Sequence, residues 1–80
     1  MYTVYVLRDE AGKIYKGCTN NLNRRLREHR AGKTQTTSRM ARFDVVYTES
    51  FETFIEARTR EVYFKSAAGR KFLKTVIKGT

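Results

Sequence analysis

Tyr2-Thr-Val-Tyr-Val-Leu7, Ile14-Tyr-Lys-Gly-Cys-Thr19 and Asn21-Leu-Asn-Arg-Arg-Leu-Arg-Glu-His29 follow one another near the start of this 80-residue chain, and together they decide its fold. In the first stretch Tyr2, Val4 and Val6 alternate with Thr3, Tyr5 and Leu7, the two-residue period of a strand. Asp9-Glu-Ala-Gly12 is turn chemistry, and Gly12 is free to take positive φ. Ile14 to Thr19 then returns as a second strand, antiparallel because the connection is too short for a crossover. From Leu22 the period changes. Leu22, Arg25, Leu26 and His29 recur at helical spacing and share one face. Thr19 or Asn20 is the expected N-cap and Gly32 the expected C-cap. Arg25 and His29 therefore sit on the stripe that should be buried. Polar groups at such positions need partners or a purpose.

Residues 33–42 are polar and basic and read as a loop. A third strand is expected over Phe43 to Glu49, with Val45, Val46 and Tyr47 at its centre. Ser50 or Thr53 caps a second helix that runs to about Lys65, and Ala67-Ala-Gly69 breaks it. A last short helix carries Phe72, Leu73, Val76 and Ile77 as its apolar stripe. The order β-β-α-β-α-α predicts a single α+β domain over residues 1–80, a three-stranded antiparallel sheet flanked by helices. On the second helix Phe54, Ala57, Glu61 and Phe64 share a face, which puts a carboxylate inside an apolar stripe. Glu61 thus calls for a cationic partner, a metal or a raised pKa. Arg25, or another inter-helix arginine, is the structural partner to expect. Glu56 lies on a different face and is expected to be solvated.

The chain has 17 Lys and Arg against 8 Asp and Glu, a formal charge of +9. For so small a domain that excess points to a polyanion, most simply nucleic acid. Arg24, Arg27 and Arg30 lie off the stripe of the first helix; Lys33, Arg39 and Arg42 populate the loop; Lys65, Arg70 and Lys71 follow the second helix. These residues are candidates for a rim that tracks phosphates. A membrane partner is not expected, because the apolar runs are too short to span one and no basic segment carries a Trp or Leu face. A single cysteine, Cys18, excludes an internal disulfide and a cysteine-based metal cluster, and it reads as a small packing residue. With no signal-peptide pattern at the start, cytoplasmic residence is the expectation.

The residues in this arrangement resemble the GIY-YIG nuclease domain over roughly residues 2 to 77. Thr3-Val4-Tyr5 matches the first signature and Tyr15-Lys16-Gly17 the second, with Gly17 as the motif glycine. The family's helix arginine falls on Arg25, its histidine on His29 and its metal-holding acid on Glu61. The likeness is to small stand-alone bacterial members, themselves similar to the catalytic domain of Slx1-type structure-selective endonucleases. Thr3 replaces a glycine and Lys16 an aliphatic, changes expected to affect packing more than chemistry. No asparagine follows Glu61, where some members carry one.

The resemblance implies one-metal hydrolysis of phosphodiester bonds in DNA, with branched and single-stranded forms among the substrates. Glu61 would hold Mg²⁺, or Mn²⁺ in its place, and Arg25 would donate to the nonbridging oxygens. Tyr5 is the first choice to activate water, with Tyr15 nearby. His29 competes, because imidazole titrates near neutrality. Two other readings stay open: a non-catalytic nucleic-acid-binding module on the same fold, and a small RNA- or ribosome-associated protein that shares the fold alone.

Overall fold

The computed structural model describes residues 1–31 and 42–77. Elements follow the predicted order: β1 (Tyr2–Asp9), β2 (Ile14–Thr19), α1 (Leu22–Arg30), β3 (Phe43–Phe51), α2 (Phe54–Lys65) and α3 (Ala67–Val76). The sheet runs β2-β1-β3 and is antiparallel throughout. Gly12 has a φ of 85°, the left-handed conformation expected of the β1–β2 turn. Asp9 tightens that turn by accepting from the backbone N–H groups of Ala11 and Lys13.

Strand alternation divides the side chains of β1 between two faces. Val4 and Val6 pack with Ala57, Phe64, Leu73 and Ile77, so α2 and α3 cover that face. Full burial of each such aliphatic contributes roughly 1.5–3 kcal/mol. Tyr5 turns to the opposite face and meets His29 of α1. Cross-strand register places Lys16 beside Val6 and Cys18 beside Val4 on the first face, and Tyr15 beside Leu7 and Gly17 beside Tyr5 on the second. The register of β3 shifts between Val6 and Leu7, which face Tyr47 and Val45. Val46 is the extra residue of a β-bulge. Consequently Val46 and its neighbour Tyr47 both pack against the α2–α3 core, whereas Phe43 reaches His29, ring centroids 6.1 Å apart.

Several boundaries differ from the sequence reading. The N-cap of α1 is Asn21, whose Oδ1 accepts from the Arg24 amide at 3.0 Å, one residue beyond the expected Thr19 or Asn20. Thr19 instead closes a local turn by accepting from the Asn21 amide at 3.1 Å. The C-cap of α1 is Ala31, and Gly32, Lys33 and Arg39 lie outside the described residues. β3 extends past Glu49 to Phe51. Thr53, not Ser50, caps α2 and forms a reciprocal capping box with Glu56, which is therefore a structural acid rather than a merely solvated one. The break between α2 and α3 is Ser66, and Ala67-Ala-Gly69 forms the first turn of α3. Ser66 ends one helix and caps the next, its Oγ accepting from the Gly69 amide at 3.1 Å. Gly69 is required because a Cβ there would lie 2.6 Å from the Phe64 Cα, so α3 packs backbone to backbone on the end of α2.

A charged cluster missed by the sequence reading fastens β3 to α2. Arg60 donates to both oxygens of Glu49, at 2.8 and 3.1 Å, and Tyr47 donates to the same carboxylate at 2.6 Å. The Arg60 guanidinium carbon lies 4.7–4.9 Å from the centroids of Tyr63, Phe64 and Phe72. These contacts keep Glu49 ionised below the usual carboxylate range, chiefly through the Arg60 hydrogen bonds. No described helix is long and apolar enough to cross a membrane.

Candidate active site

Tyr5, Tyr15, Arg25 and His29 converge on the α1 face of the sheet. The Tyr5 hydroxyl lies 2.9 Å from His29 Nε2 and accepts from Arg25 Nε at 3.3 Å. Tyr15 completes the group, its ring centroid 6.2 Å from that of Tyr5 and 5.1 Å from that of His29. Tyr5 and His29 are each 1 % exposed, while Tyr15 and Arg25 are half-buried and form the rim that solvent reaches. The helical spacing of Arg25 and His29 aims both at the tyrosine cluster, which is the purpose their place on the stripe demanded.

Gly17 makes this packing possible. A Cβ at Gly17 would collide with the Tyr5 hydroxyl and lie 2.5 Å from Tyr5 Cζ. The glycine is thus the floor on which the phenol rests.

Burial pushes the Tyr5 hydroxyl up to about 12, against the opposing hydrogen bond from Arg25. Tyr5 is thus a weaker acid than an ordinary phenol. Burial, with the neighbouring Arg25 charge, holds His29 below 6.5, so the imidazole is neutral at pH 7. Hydrogen bonds to Tyr5 and Glu28 hold Arg25 firmly charged.

Glu61 stands apart from these four residues. It is 8 % exposed, on the helix that covers the other face. Its cationic partners are Arg58 and Lys65, each at 3.1 Å within α2, rather than Arg25 or any inter-helix arginine. It also raises the Cys18 thiol, after burial the next cause, which places it over β2. β2 is an edge strand of the sheet, with the Arg25 cluster on one of its faces and the carboxylate on the other.

Where β1 begins, β2 ends and both α1 and α2 start, Tyr2, Cys18, Thr19, Asn20, Arg24, Arg25, Glu28 and Phe54 line an open groove of about 290 Å³. Phe54, expected in the buried stripe of α2, is 52 % exposed there.

The donor chemistry at Glu61 suits a hard cation, since carboxylate oxygen is the ligand Mg²⁺ prefers. No group of three or more His, Cys, Asp or Glu gathers among the described residues. Water and phosphate would therefore have to complete the shell, as is usual for Mg²⁺. Arg58 and Lys65 are each 53 % exposed in their side chains, so both can swing into solvent when a stronger cation takes the carboxylate.

The described basic residues lie in several places on the fold. Arg24 shares the groove with Arg25, and Arg27 is exposed on α1. Arg30 lies over the Phe43 ring at 5.5 Å. Arg42 sits 3.8 Å from Glu10 at the hairpin turn, at the opposite end of β1 and β2 from the groove. Lys65 is tied to Glu61, Arg70 donates to the Lys65 carbonyl at 3.4 Å, and Lys71 is exposed. Lys16 joins this last group: burial, then the Arg70 and Lys65 charges, hold its ammonium below the usual lysine range. Its signal in the sequence was a charge at an inward strand position.

The GIY-YIG catalytic domain family matches residues 1–74. The chain is 34 % identical over 77 residues to a UPF0213 protein of Clostridium perfringens, covering 95 % of this chain and 83 % of that one. It is 44 % identical over 63 residues to a UPF0213 protein of Bacillus licheniformis, covering 76 % of this chain and 64 % of the other. Among solved structures, the solution NMR structure of a UPF0213 protein from Bacillus halodurans is similar with a TM-score of 0.60 and 30 % sequence identity, covering 99 % of this chain and 88 % of that chain.

Proposed function

The chain belongs to the GIY-YIG catalytic domain family, a nuclease-type family, and from that premise we propose that it is a metal-dependent endonuclease hydrolysing DNA phosphodiester bonds. The observation that carries this reading is the chain of contacts from Arg25 through Tyr5 to His29. Arg25 and Tyr15, at the rim, meet the phosphate. Arg25 offers fixed positive charge where negative charge builds in the transition state. A phenol pushed up to about 12 is a poor free base, but it can relay. Attacking water gives its proton to the Tyr5 oxygen as the Tyr5 proton passes to neutral His29 Nε2. Burial keeps His29 ready to accept. The role first given to Tyr5 is thereby shared with its competitor.

Glu61 is the residue proposed to hold Mg²⁺, or Mn²⁺ in its place. When bound, the ion supplies Lewis-acid stabilisation of the leaving 3′ oxygen. Structure-selective cleavage, as in repair or recombination, fits a small domain whose groove lies beside the tyrosine cluster.

One observation favours a second reading, a binding module that does not cut: both Glu61 oxygens are already paired, with Arg58 and Lys65. Incubation of the protein with branched, nicked and single-stranded DNA, with Mg²⁺ or Mn²⁺ and with a chelator, separates the two. Metal-dependent cleavage is the expected result; retention of intact DNA in every lane leaves the binding module.

The pH dependence follows from the same contacts. The relay needs neutral His29, whose folded pKa lies below 6.5. Single-turnover cleavage should therefore rise with pH through a midpoint below 6.5 and then level off. Tyr5 adds no limb before about pH 12. A midpoint near pH 10 in rates measured at saturating metal would identify an ordinary phenol as the base and remove His29 from the path.

A further inference from the structure

We propose that the groove between α1 and α2 is a nucleobase subsite, which takes one unpaired nucleotide beside the phosphate held by Arg25 and stacks its base on Phe54. The polymer's identity rests on the nuclease reading above; the stacking itself does not. Phe54 opens α2 directly after its Thr53 cap and leaves 52 % of its surface in solvent. Neither helix formation nor the core requires an aromatic ring there. Among the described residues its ring partner is Tyr2, with centroids 5.6 Å apart and planes at 64°. A flat ligand on the Phe54 face would thus meet Tyr2 edge-on, a favoured arrangement for a third ring.

The opposite wall is charged. Arg24 and Arg25 flank Glu28 at 4.0 and 3.0 Å, two cations to one anion. The groove therefore suits a ligand that joins an aromatic ring to an anion, which describes a nucleotide. At about 290 Å³ it lies at the lower end of small-ligand clefts, with room for one nucleotide and none for a duplex. Asn20, also lining it, brings an amide that both donates and accepts, as base edges require. An aromatic face beside positive charge is how proteins hold single-stranded nucleic acid. Because Arg25 belongs both to this groove and to the tyrosine cluster, the nucleotide beside the scissile phosphate is the one that must be unpaired. DNA with a flap, gap or junction offers such a nucleotide without the cost of unstacking a pair.

The test reads binding with chelator present, so that no cleavage intervenes. The chain contains no Trp, so Phe54→Trp places a single indole at the groove and keeps a stacking ring. Its fluorescence should be quenched by a single-stranded oligonucleotide or a gapped duplex and not by a fully paired blunt duplex. In parallel, Phe54→Ala and Phe54→Leu should each weaken single-strand binding by about fivefold to a hundredfold, the worth of one stacked base, with duplex affinity essentially unchanged. Absence of quenching overturns the proposal. So does equal loss for single strand and duplex, or wild-type affinity in Phe54→Leu. Addition of Mg²⁺ to wild-type samples then reads the nuclease separately. Cleavage without quenching in the indole variant removes the subsite and keeps the enzyme; quenching without cleavage keeps the subsite and removes the enzyme.

Discussion

Arg25→Ala is expected to lower the rate of DNA cleavage by at least about a hundredfold, on the scale of losing one transition-state donor. The substitution removes two things together. The phosphate loses a two-pronged cation, and the Tyr5 hydroxyl loses the N–H that now holds it at 3.3 Å. The fold should survive, because Leu22 and Leu26 keep the stripe of α1 and Ala is a better helix former than Arg. Ground-state affinity for DNA should fall little, with Arg24 still in the groove. Arg25→Lys keeps the charge but not the fork, and should recover only part of the rate. Single-turnover kinetics alongside thermal melts check this. An alanine variant that melts early yet cleaves at the wild-type rate per folded molecule would make Arg25 a structural partner of Tyr5 and Glu28 only.

Glu61→Gln should abolish cleavage at ordinary Mg²⁺ concentrations and leave the protein folded. A buried inter-helix arginine, the partner envisaged from sequence, would have been stranded by this change at considerable cost. The partners observed are Arg58 and Lys65, half exposed on the same helix, and either returns to water when the charge is removed. The melting temperature should accordingly change little. DNA binding should persist or strengthen slightly, since one negative charge near the phosphates is gone. Melting, binding in chelator and cleavage can all be read on one preparation. Full metal-dependent cleavage by this variant would remove Glu61 as the metal ligand.

Much of this was legible because the chain states its periods clearly. The change from a two-residue to a helical repeat at Leu22 located α1, and the same repeat exposed Arg25, His29 and Glu61 as misfits among apolar neighbours. What escaped depends on contacts between elements. Val45, Val46 and Tyr47 form an unbroken apolar run, which suits either face of a strand, so it does not say that Val46 is the extra residue or that Tyr47 faces the other core from Phe43. Phe54 looked like a stripe residue because helical spacing assigns a face but not what covers it. Gly17 was recognised as part of a motif, yet its reason, the Tyr5 ring lying where a Cβ would be, needs the two strands in register. Lys16 was set down to packing, whereas it belongs to a group with Lys65 and Arg70, two residues nearly fifty positions or more along the chain.

The fastening of β3 to α2 bears on how the molecule responds to its ionic surroundings. Arg60 and Glu49 are partly shielded, and the guanidinium is covered by three rings. Mobile ions screen such a pair weakly. The surplus of +9, by contrast, repels itself across an open surface, and added electrolyte relieves that repulsion. Phosphate contacts respond in the other direction, because each one formed releases a condensed counterion and is lost as salt rises. Increasing sodium chloride from tens to hundreds of millimolar should therefore raise the melting temperature of the free domain while it dissolves the complex with DNA.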